Sequence, residues 1–229
     1  MKKTTIVAFL LLTSGNLFAS TINSEINSIE SRWANIYYAE NSTQQKDHFP
    51  ALIKQTQELA KKHPKQVEPL IWQAILIATN AAYEAPFDAL HSINKAKTLL
   101  EHCIKKQPKA LSGAAQVALA TLYYMTPGWP ISFGDDARAE TLFKKALQIN
   151  PLSIDSNYFY GDYLLTKNDI KNARTYFKRA IEAPIRKNQQ FADIQLKKEA
   201  FTALKNTEDR KFTADKSRFL SLFSSANAK

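Results

Sequence analysis

The segments ARAETLFKKALQINP and ARTYFKRAIEAP align so that Ala139, Phe143 and Ala146 return as Ala173, Phe177 and Ala180, 34 residues further along the chain. That period, with an aromatic side chain between two small ones at helical spacing, describes a two-helix unit. Such a unit cannot bury its apolar face alone and must stack on a neighbour. The alanines let helices approach closely, and the phenylalanine fills the groove between them. A chain of this kind folds as a stack of helix pairs.

The pattern resembles the tetratricopeptide repeat (TPR) family. Its units carry a small residue in the first helix, then Ala, a large apolar residue and Ala in the second, followed by Pro. Gly161, Ala173, Phe177 and Ala180 fill these positions in the last complete unit, with Pro184 one place early. Ala118, Ala139, Phe143, Ala146 and Pro151 fill the unit before it, and Ala74, Ala96, Leu100, Cys103 and Pro108 an earlier one. Pro64 closes a more divergent first unit containing Leu52 and Leu59. The resemblance spans Ile22 to Pro184. It implies an all-α, right-handed superhelical solenoid of paired antiparallel helices that binds another protein and catalyses nothing.

Two departures extend this reading. Pro64, Pro108 and Pro151 stand 44 and 43 residues apart, so each middle unit is longer than the ordinary repeat by about ten residues. The excess falls between paired helices, at YEAPFDALHS and at TPGWPISFGDD, and both long intra-repeat loops should emerge on one edge of the stack. The spacing predicts helices over 22–40, 45–62, 67–84, 89–107, 110–125, 135–148, 153–166 and 169–182, and no strand. Two further helices, 190–206 and 211–225, form a C-terminal cap within residues 185–229. Phe191, Ile194, Phe201 and Leu204 there recur at helical spacing and should cover the last repeat.

The start of the chain reads differently. Lys2 and Lys3 precede a short apolar run from Ile6 to Leu12 and a small-residue segment ending at Ala19, the order of a secretory signal. Residues 1–19 are therefore expected to be a signal peptide, residues 20–184 the repeats, and the protein periplasmic. A membrane span needs about 20 apolar residues, and no segment after the signal approaches that. Cys103 is the only cysteine, so no internal disulfide forms and stability must come from packing. The formal net charge of +10 remains basic once the two lysines are removed. A basic balance suits an acidic partner, whereas an exported chain rarely meets nucleic acid.

The loop PGWPISFGDD, Pro127–Asp136, is stiff for a break between helices. Pro127 stops the helix carrying Tyr123 and Tyr124, Gly128 permits a turn, and Asp135 or Asp136 can cap the next helix. Trp129 and Phe133 have two readings: folding back over the helix ends, or forming a recognition edge, with one ring inward and the other outward satisfying both. An insertion of this form ahead of a helix such as FKKAL also resembles the TPR component associated with TRAP-type uptake systems. That resemblance covers Tyr123 to Leu147 and implies a small hydrophobic ligand and a periplasmic substrate-binding protein as partner. The lipid-anchoring cysteine typical of that group is missing.

In the TPR family the first helices line the concave face. Carried onto this chain, those positions are Glu68, Ile71, Ile75 and Ala78; Ser112, Ala115, Leu119 and Leu122; Asp155, Tyr158, Asp162 and Leu165. They mix apolar and acidic groups, unlike the basic clamps that hold a peptide carboxylate, and suit an apolar or cationic ligand. Asp155 has an alternative role as a helix cap after Pro151. Trp129, Phe133, Tyr158, Asp162, Asp155 and Tyr123 form the candidate partner-binding set, with an unidentified protein as partner and homo-oligomer formation left open. The pairs Lys61–Lys62, Lys105–Lys106, Lys144–Lys145 and Lys178–Arg179 read as a basic stripe or, more simply, as solvated charges near helix C-termini. His48, His63, His91 and His102 lack metal-ligand spacing, Cys103 stands where the repeat needs a small buried residue, and no phosphate loop or nucleophile elbow occurs. No catalytic residue, metal or cofactor is expected.

Overall fold

A computed structural model describes the backbone of residues 14–208 and the side chains of residues 22–207. The expected signal peptide lies largely outside the described residues, as does the expected helix over 211–225. The helices are α1 (Ser14–Ala39), α2 (Ser42–Lys62), α3 (Glu68–Asn80), α4 (Pro86–Lys106), α5 (Ala114–Met125), α6 (Asp136–Ile149), α7 (Ile154–Thr166), α8 (Ile170–Glu182) and α9 (Gln190–Glu208). No strand occurs among the described residues; Gly128 and Gly134 form a lone bridge. No described helix is long and apolar enough to cross a membrane.

Local chemistry sets the helix boundaries. The Asn41 side chain accepts the Gln44 N–H while the Gln44 side chain accepts the Asn41 N–H, a reciprocal cap that starts α2 before the expected position. The expected 67–84 helix ends at Asn80 and continues as a 3₁₀ turn over 81–83. A second 3₁₀ turn, over 110–113, precedes α5, because Leu111, Ser112 and Gly113 all take positive φ. That kink delays α5 by one turn relative to the expected start. The four basic pairs are exposed on the outer helices, and Lys61, Lys62, Lys105 and Lys106 lie in last turns, where cations favour the helix dipole.

The repeat signature becomes the core. Leu100, Phe143 and Phe177 are fully buried, as are Ala96, Ala139 and Ala173 before them and Cys103, Ala146 and Ala180 after them. Each large side chain among these contributes about 1.5–3 kcal/mol on leaving water. Ala74 is likewise fully buried. Gly161 is required by proximity: a Cβ there would meet Cε1 of Phe177 at 2.8 Å. Ala118 is half-buried and faces the centre of the stack.

The architecture departs from an open solenoid at its ends. Helices α1, α3, α5 and α7 form the inner layer, and α9 packs against α7, α8 and also α1. Gln189 donates to the Asn27 carbonyl at 3.1 Å and accepts from Ser31 Oγ at 3.2 Å. The rings of Tyr38 and Phe191 meet edge-on at 6.3 Å. The first described unit thus touches the cap, and the inner helices close into a ring.

Candidate functional site

The ring surrounds a partly open cavity of about 1000 Å³, lined by α1, α3, α5, α7, α9 and the connection into α9. Its wall on α1 and α3 is aromatic. Trp33 stacks on Tyr37 at 5.3 Å, lies 5.8 Å from Trp72, and meets Tyr38 edge-on at 6.1 Å. These residues follow from an α1 register that places Ile26, Glu30, Trp33 and Tyr37 on one face, three or four residues apart. On α7, Tyr158 and Phe159 meet edge-on at 5.1 Å, and both line the cavity.

The opposite chemistry sits at the closing seam. Arg186 donates to Glu30 at 2.8 Å and to Asp193 at 2.6 Å, and its backbone N–H donates to Asp193 at 2.7 Å. Burial raises the Glu30 carboxyl to about 7, outweighing the attraction of Arg186, and the nearby Asp155 charge adds to the rise. Burial also raises Asp155, against the pull of Arg186. Burial alone would lower the Arg186 guanidinium, yet its hydrogen bond to Asp193 and the charges of Asp155, Glu30 and Asp193 hold it above the ordinary value. Burial likewise raises the Tyr38 phenol, with Glu199 and Asp155 among the charges acting on it.

The sequence-derived partner set divides between two places. Tyr158, Asp162 and Asp155 line the cavity. Asp162 accepts the buried Tyr124 hydroxyl at 2.7 Å. Asp155 is not the α7 cap: Ser153 fills that role, accepting the Ser156 N–H at 3.1 Å, which leaves Asp155 in the first turn facing the cavity. Of the other groove positions, Ile75, Ala78, Ser112 and Leu122 line the cavity, whereas Ile71, Ala115 and Leu119 are buried among the helices. The aromatic residues Trp33, Tyr37, Tyr38 and Trp72 carry no repeat signature. Their only sequence signal is the helical spacing along α1 and the first turns of α3.

Trp129 and Phe133 belong to the loop instead, and Tyr123 stands on α5 against it. Asp135 N–H donates to the Tyr123 carbonyl at 2.9 Å and Gly134 N–H to the Pro127 carbonyl at 2.9 Å, pinning both ends. A Cβ on Gly134 would stand 2.0 Å from the Thr126 carbonyl oxygen, so only glycine fits. Asp135 caps α6 by accepting the Arg138 N–H at 3.0 Å. Phe133 turns inward, edge-on to buried Tyr123 at 5.6 Å with the Lys97 ammonium over its ring. Trp129 turns outward and is 90% exposed, beside Ile131 at 69%. The two rings face opposite ways.

No group of three or more His, Cys, Asp or Glu side chains among the described residues could hold a metal ion. Cys103 is buried, and that burial raises its thiol to about 11.

Residues 154–184 match the tetratricopeptide repeat family. Among solved structures, the crystal structure of a thermophilic TPR protein from Thermus thermophilus superposes with a TM-score of 0.51. The match covers 87% of this chain and 98% of that one, at 14% sequence identity. No curated protein matches the chain. The chain has a TPR-type fold, an all-α helical repeat, and repeats of this kind present concave surfaces for binding other proteins.

Proposed function

We propose that the protein is a non-catalytic binding protein of the periplasm whose ring of repeats surrounds a ligand and whose inserted loop presents an edge to a protein partner. The cavity carries the reading. At about 1000 Å³ it lies at the upper end of the range for pockets that bury a small molecule, about 300–1000 Å³, and it is too small for a folded domain. Aromatic and aliphatic walls with a few polar groups are the usual composition of such pockets.

The direct test uses N-phenyl-1-naphthylamine, an apolar dye that brightens when removed from water. The expected outcome is saturable binding to the native protein and loss of binding in Ala118→Trp, which fills the cavity from its wall, with helicity and melting retained. Equal binding to both proteins contradicts the reading.

The exported scaffold reading draws on the loop edge. Exposed Trp129 and Ile131 on a pinned backbone are the kind of rigid apolar anchors that supply most of an interface's energy. In its finer form the protein is a TRAP-transporter-associated subunit, holding a small hydrophobic ligand and meeting a periplasmic substrate-binding protein at this edge. Trp129→Ala should then weaken that association without altering the fold, and unchanged association with purified substrate-binding protein contradicts it.

A further inference from the structure

The cavity is acidic and aromatic inside a protein of net charge +10. Five carboxylates line it, Glu30, Asp155, Asp162, Asp193 and Glu199, against two basic side chains, Arg186 and Lys187. Arg186 is committed to Glu30 and Asp193 at the seam. No three of these acids are placed to hold a metal ion, so a monovalent organic group suits the field better than a divalent metal.

Three polar atoms behind the cavity wall lack partners among the described residues. Trp72 is 6% exposed and Ser156 fully buried, yet Trp72 Nε1 and Ser156 Oγ, with Trp33 Nε1, have no hydrogen-bond partner among the described residues. All three residues line the cavity. An indole N–H can only donate, and these three atoms are buried within the wall rather than open to the cavity.

Taking this cavity as the binding site, we infer that its ligand is an organic cation with an amine or quaternary ammonium head and an apolar body. The head lies toward Glu30 and Asp155 and the body against the Trp33, Tyr37 and Tyr158 rings. Aromatic faces attract a desolvated cation as carboxylates do, so both wall types favour the same charge. Protonation bears on the same site. Glu30 faces Asp155 of α7, Asp193 of α9 and Arg186 of the connection, and its carboxyl titrates near 7. A bound cation favours its ionised form.

The probe is octanoylcholine, which combines a quaternary ammonium, an ester carbonyl and an alkyl tail. Its comparators are the neutral carbon isostere 3,3-dimethylbutyl octanoate and the anion decanoate. Binding is read from tryptophan fluorescence in Trp129→Phe, which leaves only Trp33 and Trp72 of the chain's three tryptophans. The expected result is octanoylcholine binding about tenfold tighter than the neutral isostere, a difference of the size that cation recognition by rings and carboxylates supplies. Its affinity should rise with pH through neutrality. Glu30→Gln should reduce both the preference and the pH dependence, and the isostere comparison needs no variant that must fold. Equal or tighter binding of the neutral or anionic probe overturns the cation assignment while leaving the cavity as a binding site. No response to any probe overturns both.

Discussion

Arg186, in the connection that enters α9, reaches Glu30 of α1 at 2.8 Å. This ion pair is one of the contacts across the seam where α1 meets the segment leading into α9 and the repeat stack becomes a ring. Without it, α1 and α9 keep the Gln189 bonds and the Tyr38–Phe191 ring contact. Buried Asp193, 2% exposed at its side chain, and Glu30 lose their common partner.

Arg186→Met should therefore destabilise the protein. Breaking a buried ion pair from one side costs about 3–5 kcal/mol. Arg186 is itself about half exposed, and solvent screening brings the expected loss to about 2 kcal/mol. Urea denaturation of the variant against the native protein checks this value.

Stability should also depend on pH through Glu30. Its carboxyl is raised from 4.5 to about 7 in the folded ring, chiefly by burial. A carboxyl raised on folding holds its proton more tightly folded than unfolded. Its contribution is thus complete below the unfolded value and is lost as pH rises through about 7. Asp155 is raised by burial too and acts in the same direction. The denaturation midpoint is expected to fall from roughly pH 5 to pH 8, with a shallower fall in Glu30→Gln.

Gly161→Ala tests the packing of the last repeat. The new Cβ would stand 2.8 Å from the Phe177 ring, which is fully buried and has little room to retreat. Overpacking of this kind costs about 1–3 kcal/mol, measurable as a lowered melting temperature.

The loop should separate by residue. Trp129→Ala removes an exposed ring and should change stability by less than about 0.5 kcal/mol. Phe133→Ala strips the cover from Tyr123 and should cost more, and Gly134→Ala, aimed at the Thr126 carbonyl, the most. Thermal melts of the three variants give the order directly.

Much of this architecture is legible in the sequence, because repeat packing is local. Ala139, Phe143 and Ala146 need only the next helix pair to be buried, and their recurrence as Ala173, Phe177 and Ala180 announces it. The capping role of Asp135 is likewise written in its neighbours. The ring is different. Glu30 and Arg186 meet through the summed twist of every intervening repeat, and no short motif records that sum. The aromatic wall of Trp33, Tyr37 and Trp72 falls in the most divergent unit, where its helical spacing reads as ordinary core. Asp155 faces the cavity because Ser153 takes the cap two residues earlier, a choice between two competent capping residues that only the backbone path decides.

Ring closure is tested most directly by pulsed electron paramagnetic resonance between spin labels at Ser28→Cys on α1 and Lys198→Cys on α9, both exposed positions, in a Cys103→Ala background. A single narrow distance distribution, broadened by Arg186→Met, is the result expected of a closed ring. A broad, long distribution in the otherwise native chain would mean an open solenoid with no cavity inside a ring, and would contradict the account at its centre.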